Sequence, residues 1–461
     1  METVDTLPPA ASYLLSWQGT LLCRHKETGQ LVQRPLRAPP DDADLVNIAA
    51  RTVDLQVSFA NYLRNDTALT IDITAGPLTG WQVVRARDDR AVNVVRDGRF
   101  LCAVHNSETI LTDSPEAKDW EGFLPISGTE LSALQEIFRY AWVIRTSGRL
   151  ISPDNMSVRP YFSIVIGGLV LDLRWQLPLD LSAWPHRLTV LRDGWRIEQI
   201  CRYRPLVFFS ALGSPAIMEQ FALSVRSLIE FGRYDGDIAV LTDHSPEEIA
   251  RMLPRFDRPR CTVLRCETSD RMSFMAARYS IGDWDGAAAY QPLLYADTDI
   301  VFDADVAPML RATALSDRIA APVEPFAPLR SHAPVGSGLL QLDGCDPGYV
   351  HGFNSGTIGI PNLAAHGGTL KLIARVLMNH AMMRGRDSLP YVDQEIANYV
   401  SYRIGHFDTA LLARHVRFAG EDVKPGGRCG LVHFWPVSGT AERTEVMKAY
   451  VERLRAVTSR A

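Results

Sequence analysis

The stretch YQPLLYADTDIVFDADV, residues 290–306, holds four aspartates in two D-x-D pairs. An apolar run from Pro292 to Tyr295 leads straight into Asp297 and Asp299, and Ile300–Phe302 separates that pair from Asp303 and Asp305. Carboxylates at the end of an apolar strand sit where open α/β sheets bind ligands, at the carboxyl edge. Two of them, two residues apart, can share one hard divalent cation. A solvated turn at a strand end would use the same residues, and a bare D-x-D does not choose between the two. The second pair follows IVF, which carries the chain away from that edge. Asp303 and Asp305 are therefore expected to form a solvated turn or a cap for the helical VAPMLRA.

Upstream, strands and helices alternate from Pro205. PLVFFSALG reads as a buried strand with a small-residue turn. SPAIMEQFALSVRSLIEFG reads as a helix with Pro near its first turn and Gly at its end. DIAVLTD, SPEEIARMLPRF, CTVLRCE and MSFMAARYSIGDW continue the alternation, which predicts an open, mainly parallel α/β sheet. Downstream lie three further pieces. In HGFNSGTIGIPN, Asn354 and Ser355 stand beside a glycine that allows close approach; they can bond sugar hydroxyls, or simply close a turn. In LPYVDQEIANYV, Asp393 reads as a helix N-cap or, with Gln394, as a pair facing a reacting carbon. In GRCGLVHFWPVSG, His433 lies in a short apolar run, either as a satisfied core histidine or as a third ligand beside Asp297 and Asp299.

The first part of the chain reads differently. GTLLCRHKETGQLVQRPL from Gly19, FANYLRNDTALTIDITAGPLTGWQVV from Phe59 and GRFLCAVHNSETILTDSP from Gly98 share one shape. Each has a short apolar strand, a polar turn and another strand, with paired apolar positions at Leu21–Leu22, Tyr62–Leu63 and Phe100–Leu101. Bulky groups close the units: Leu45–Val46, Trp81 with Val83, and Trp120 with Phe123. Three such units predict an all-β domain with internal threefold symmetry. It resembles a β-trefoil, and GRFLCA…DWEGFL looks like a fascin-type unit. Residues 10–127 are assigned to this domain. SGTELSALQEIFRYAWVIRTS, residues 127–147, reads as a helix opened by a capping box, within a helical and β linker region of residues 128–204. Residues 205–455 form the α/β domain.

Bulk properties narrow the function. At 461 residues the chain is long enough for two or three domains. It is 46% hydrophobic and 22% charged, the composition of a folded globular protein. A net charge of −5 argues against nucleic-acid binding, which needs a basic surface. The acidic, proline-broken start lacks the regions of a signal peptide, and no run reaches the length of a membrane span. Seven cysteines without C-x-x-C spacing are expected as reduced thiols, so the expectation is a cytoplasmic protein.

Taken in order, Arg278 before the D-x-D, YADTDIVF, FNSG, VDQEIAN and LVHFW resemble glycosyltransferase family 8, the group of glycogenin and bacterial lipopolysaccharide galactosyltransferases. The likeness runs from about Pro205 to Tyr450. It implies a GT-A fold and a retaining transferase that uses a nucleotide-diphosphate sugar, usually a UDP-sugar, with Mn²⁺ or Mg²⁺. On that resemblance Asp297, Asp299 and His433 would bind the metal, while Arg278 and Thr298 would reach the donor. Asn354 and Ser355 would lie by its sugar, Asp393 and Gln394 under its anomeric carbon, and Ser210, Ala211 and Gly213 against the base. The acceptor would be a glycan, a lipid-linked sugar or a protein.

Two departures stand out. The first turn, SALGS, lacks the family's frequent Asp or Asn. His433 is followed by Phe434-Trp435-Pro436 and Ser438-Gly439 rather than by Gly-x-x-Lys-Pro-Trp, so the diphosphate-gripping lysine is missing; Arg443 and Lys448 are the nearby cations. These departures keep open a non-catalytic glycan- or nucleotide-sugar-binding protein with a degenerate GT-A domain. A nucleotidyltransferase is disfavoured, because SALGSPAIMEQF carries no Lys or Arg for a triphosphate.

Overall fold

The structure is a computed structural model that describes residues 12–37, 41–52, 70–75, 77–85, 91–176, 186–253, 261–266, 271–385, 388–419 and 427–458. The chain divides into two compact units, Met1–Arg202 and Tyr203–Ala461.

In the first unit Ser12–Ser16 pairs with both Asn47–Thr52 and Gly122–Ser127. From Asn47–Thr52 the pairing runs through Thr70–Ala75, Gln82–Arg85 and Val92–Arg96 and returns to Gly122–Ser127, antiparallel throughout. Six strands thus form a closed ring. Two hairpins adjoin it, Thr20–His25 with Leu31–Pro35 and Arg99–Ala103 with Ile110–Ser114. Leu22, Val46, Trp81, Val83, Leu101 and Phe123 share one buried cluster. Tyr62–Leu63 lies outside the described residues. Trp120 departs from its expected core role: it is 42% exposed.

The helix opened by Ser127 is shorter than its apolar pattern predicts, Gly128–Ile137. The capping box is present, with Ser127 accepting from Glu130 N and Glu130 accepting from Ser127 N. The helix stops because Ala141–Ile144 is a strand, and short apolar runs do not distinguish the two by periodicity. Trp142 Nε1 donates back to Ile137 O at 2.9 Å, which holds the turn between them. This strand belongs to a seven-stranded sheet built entirely from residues 141–203. Its apolar face, including Ile164, Leu171, Leu188 and Ile200, shares a core with Leu15 and Leu21.

The second unit is built on another seven-stranded sheet, ordered Cys261–Arg265, Asp237–Thr242, Leu206–Ser210, Leu293–Ala296, Thr357–Ile360, Ile319–Ala320, Phe407–Asp408. The first four strands are parallel, and Thr357–Ile360 runs antiparallel to Leu293–Ala296. Leu206, Phe208, Leu293 and Tyr295 enter one core, and Val207, Phe209, Leu294 and Ala296 enter another. Both faces are covered, which is why these strands read as continuous apolar runs. Ser214 caps the helix Pro215–Glu230 by accepting from Ile217 N, with Pro215 in the first turn. A separate three-stranded sheet contains Ile300–Phe302, Leu431–His433 and Val416–Phe418. Among the described residues no helix is long and apolar enough to cross a membrane.

Candidate metal and donor site

Asp297 and Asp299 occupy the step between the two sheets of the second unit. The chain leaves the large sheet at Ala296 and enters the small one at Ile300. Asp297 N donates to Gly356 O at 2.8 Å, which ties the step to the FNSG segment. In the small sheet Ile300 pairs with His433. That register brings a histidine far along the chain against the D-x-D. His433 Nε2 lies 3.1 Å from Asp299 Oδ1 and 3.8 Å from Asp297 Oδ2. One ligand atom from each of the three residues falls within 4.8 Å of the others.

These residues fit a bound cation in three respects. Two carboxylates and an imidazole nitrogen form a donor set suited to Mg²⁺ or Mn²⁺. Asp299 and His433 are buried, whereas Asp297 opens to the cavity. Gly356 keeps space there, since a Cβ on it would come 2.3 Å from His433 Cε1 and 2.7 Å from Asp297 Oδ2. One feature is unusual for a metal histidine, whose second nitrogen normally bonds a carboxylate or carbonyl: His433 Nδ1 is buried without a protein partner.

The other motifs converge on the same cavity, of about 610 Å³. Arg278, buried, lies 3.2 Å from Asp297 Oδ1 and 3.4 Å from Asp393 Oδ2, and donates to Ser355 O at 3.0 Å. Its guanidinium stacks 4.8 Å from the Tyr295 ring centroid. Tyr295 Oη donates to Asp297 Oδ1, and Tyr279 Oη donates to Asp393 Oδ2 at 2.9 Å. Asp393 therefore does not act as the helix N-cap. It is the first residue of Asp393–Ile404, and Val392, in the cap position, makes no side-chain cap bond. Val392 sits at φ +54°, a conformation that costs a β-branched residue about 1–3 kcal/mol. Gln394 is spent on the frame: Ser355 N donates to its Oε1, and its Nε2 donates to Glu324 Oε2 at 3.1 Å. Asn354 Oδ1 accepts from Gly356 N, which fixes the turn behind Asp297 and His433.

Ser210, Arg278, Asp297, Thr298, Asp299, Asn354, Ser355, Asp393, Gln394 and His433 all line this cavity, whereas Ala211 and Gly213 do not. Ala211 is packed into the core, and Gly213 N is held by Asp243 Oδ1 at 3.2 Å. Leu212, Ile217 and Phe274 form an apolar wall beside the first turn.

Two residues enter the site without having been singled out as ligands. Glu324, after the apolar run IAAPV, carried the same strand-end signal as Asp297. Arg443, on the helix Thr440–Thr458, places Nη1 2.5 Å from Asp299 Oδ2 and also donates to Trp435 O and Val437 O. The sequence marked it only as a cation near His433, not as a partner of Asp299. Lys448 instead pairs with Glu219 and Glu445, each at 2.7 Å, and is not part of the cavity lining.

The electrostatics divide the acids. Burial would raise Asp299, but the facing His433 and Arg443 outweigh it and hold the carboxyl below its usual range. Burial dominates at Asp393, whose pKa is raised despite Arg278 and Tyr279, and at Glu324, raised despite the Asn354 and Gln394 amides.

The second D-x-D corrects its expectation in half. Asp305 is exposed and accepts from Ala307 N at 2.8 Å in a turn ahead of the helix Ala307–Ala314, whose cap position is Val306. Asp303 is not solvated. It is 1% exposed, ion-paired with Arg417, and accepts from Tyr450 Oη at 2.9 Å and Gly430 N at 3.1 Å.

No protein-family model matches the chain, and no curated protein sequence does. Among solved structures it is similar to a galactosyltransferase, LgtC, determined with donor and acceptor sugar analogues: 15% identity, TM-score 0.38, over 53% of this chain and 95% of that one. It is similar to WbbM, a bifunctional glycosyltransferase, at 16% identity and TM-score 0.38, over 50% of this chain and 45% of that one. Mouse xyloside xylosyltransferase 1 is similar at 13% identity and TM-score 0.35, over 50% and 97%. At these identities and scores neither a family nor an activity follows from the likeness.

Proposed function

We propose that the protein is a metal-dependent, retaining glycosyltransferase that moves a sugar from a nucleotide-diphosphate donor, a UDP-sugar first, to an acceptor hydroxyl on a glycan, lipid-linked sugar or protein. The observation that carries this reading is convergence: motifs far apart in the chain line one cavity around three side chains that could hold a metal ion. Asp297, Asp299 and His433 would hold Mn²⁺ or Mg²⁺, whose charge when bound stabilises a departing diphosphate. The chain's own residues do the positioning. Arg278 holds Asp297 and Asp393 in place from between them. Asn354, Ser355 and Gln394 form a bonded frame on which a sugar can be oriented. The wall of Leu212, Ile217 and Phe274 suits the face of a base. Residues 205–455 are read as a GT-A domain. The closed six-strand ring with its two hairpins supports reading residues 10–127 as β-trefoil-like.

The test is a screen of UDP- and GDP-sugars with Mn²⁺ that follows nucleoside diphosphate release. Release that stops with chelator and in Asp299→Asn supports the reading; absence of both release and metal-dependent donor binding overturns it. One observation favours the non-catalytic alternative, a nucleotide-sugar-binding protein. Arg443 already neutralises Asp299, and the family lysine is absent. Donor binding without turnover in the wild type, with turnover appearing in Arg443→Ala, would establish that alternative.

A further inference from the structure

The first unit carries a cluster of rings that the donor site does not use. Trp17 is buried, at 7% exposure, with its ring centroid 5.8 Å from His105 and 5.5 Å from Tyr161. His105 stacks in turn on Trp120, at 6.1 Å with planes 27° apart. Trp120 and Tyr161 are 42% and 55% exposed, and His105 is exposed as well. A buried indole therefore forms the floor beneath His105 and Tyr161, and Trp120 extends the cluster through its stack on His105.

The backbone is bent to hold this arrangement. Tyr161 and Phe162 lie at φ +65° and +55°, consecutive left-handed positions that cost non-glycine residues about 1 kcal/mol or more each. Phe162 N donates to Trp17 O at 3.1 Å, which fixes Tyr161 against the floor. An aromatic residue pushed outward at such a cost has an interaction to make.

Polar groups border the rings. Asp119 Oδ2 lies 3.5 Å from Tyr161 Oη. Gln18 Oε1 lies 3.1 Å from His105 Nδ1 and accepts from Asn106 N at 3.2 Å. Gln18 and Asn106 also line a cavity of about 450 Å³, together with Thr20, Ser107 and Glu108. Arg37, the cation among its lining residues, is committed to Met156 O and to the Phe138 ring. Nothing in the lining therefore selects an anion. Flat apolar faces bordered by amides, hydroxyls and a carboxylate match a pyranose, whose C–H face is apolar and whose edge is a row of hydroxyls.

We propose that this is a carbohydrate-binding site for a neutral oligosaccharide, with a sugar stacked on Trp120 and Tyr161 and its hydroxyls bonded to Asp119, Asn106 and Ser107. The site is independent of the transfer reaction proposed above. The test uses the full chain with chelator, so that metal-dependent donor binding does not contribute. A glycan array of neutral and acidic oligosaccharides is followed by calorimetric titration of the strongest neutral binder. Trp120→Ala and Tyr161→Gly, the latter matching the left-handed backbone, are expected to weaken binding about tenfold or more. Trp120→Phe should restore most of the affinity, and Asp299→Asn should leave it unchanged. The proposal fails if no neutral glycan binds, if only acidic glycans bind, or if binding survives both ring removals.

Discussion

The two D-x-D pairs, six residues apart in register, are the same motif in opposite surroundings. Asp299 and Asp303 are both buried, and each faces an arginine. The difference lies in what else surrounds them. Asp303 is saturated by Arg417, Tyr450 and Gly430, all protein donors, and seals the small sheet. Asp299 shares His433 with Asp297, and all three border a cavity. A buried acid with its bonds filled is architecture, whereas a buried acid beside another acid, a histidine and open space can hold a cation.

The sharpest break of this comparison is Asp299→Asn, which should lower metal-dependent donor turnover at least about a hundredfold while the fold persists by circular dichroism. Asp303→Ala should invert the pattern. Stranding Arg417 costs about 3 kcal/mol in denaturant unfolding, with metal affinity per folded molecule unchanged. Equal turnover losses in the two variants at equal stability would show that the cation is wrongly assigned.

Gly356→Ala probes the space rather than the charge. With a Cβ 2.3 Å from His433 Cε1 something must shift, and Mn²⁺ affinity by calorimetry should fall about tenfold or more. Asp305→Ala removes only one exposed turn hydrogen bond, from Ala307 N, and should cost about 1 kcal/mol or less with turnover unaffected.

The smallest expected effect is in pH dependence. Asp299 is held below its unfolded value near about 4, so its contribution is complete above that pH. It is lost as pH falls through the folded value, because there the unfolded chain binds more protons. The melting-temperature gap between wild type and Asp299→Asn should narrow on acidification. Asp393, raised by burial, has the opposite sign: it loses stability as pH rises from about 4 through its folded value. Parallel slopes for Asp299→Asn and Asp393→Asn would contradict the division of the two acids.

Much of the site was legible in one dimension. The apolar runs before Asp297 and around His433 marked strands, and strand ends are where such sheets place their ligands. Glu324 carried that signal as well. Asp303 read as solvated because its partners, Arg417, Gly430 and Tyr450, lie more than a hundred residues away. Arg443 was legible only as a cation near His433, because its partner Asp299 lies 144 residues away. The cluster of Trp17, His105, Trp120 and Tyr161 joins four segments, and of its exposed rings Trp120 alone was singled out, as a bulky group closing a unit.

By itself the sequence determined the local elements: which runs are strands, where helices are capped, and which acids end a strand. Burial periodicity and capping chemistry are read within a few residues, so composition suffices for them. Only the tertiary structure decided which acid gathers with a histidine at an open cavity and which is locked among protein donors. That choice depends on the register of Ile300 against His433 and on the donors it brings within reach.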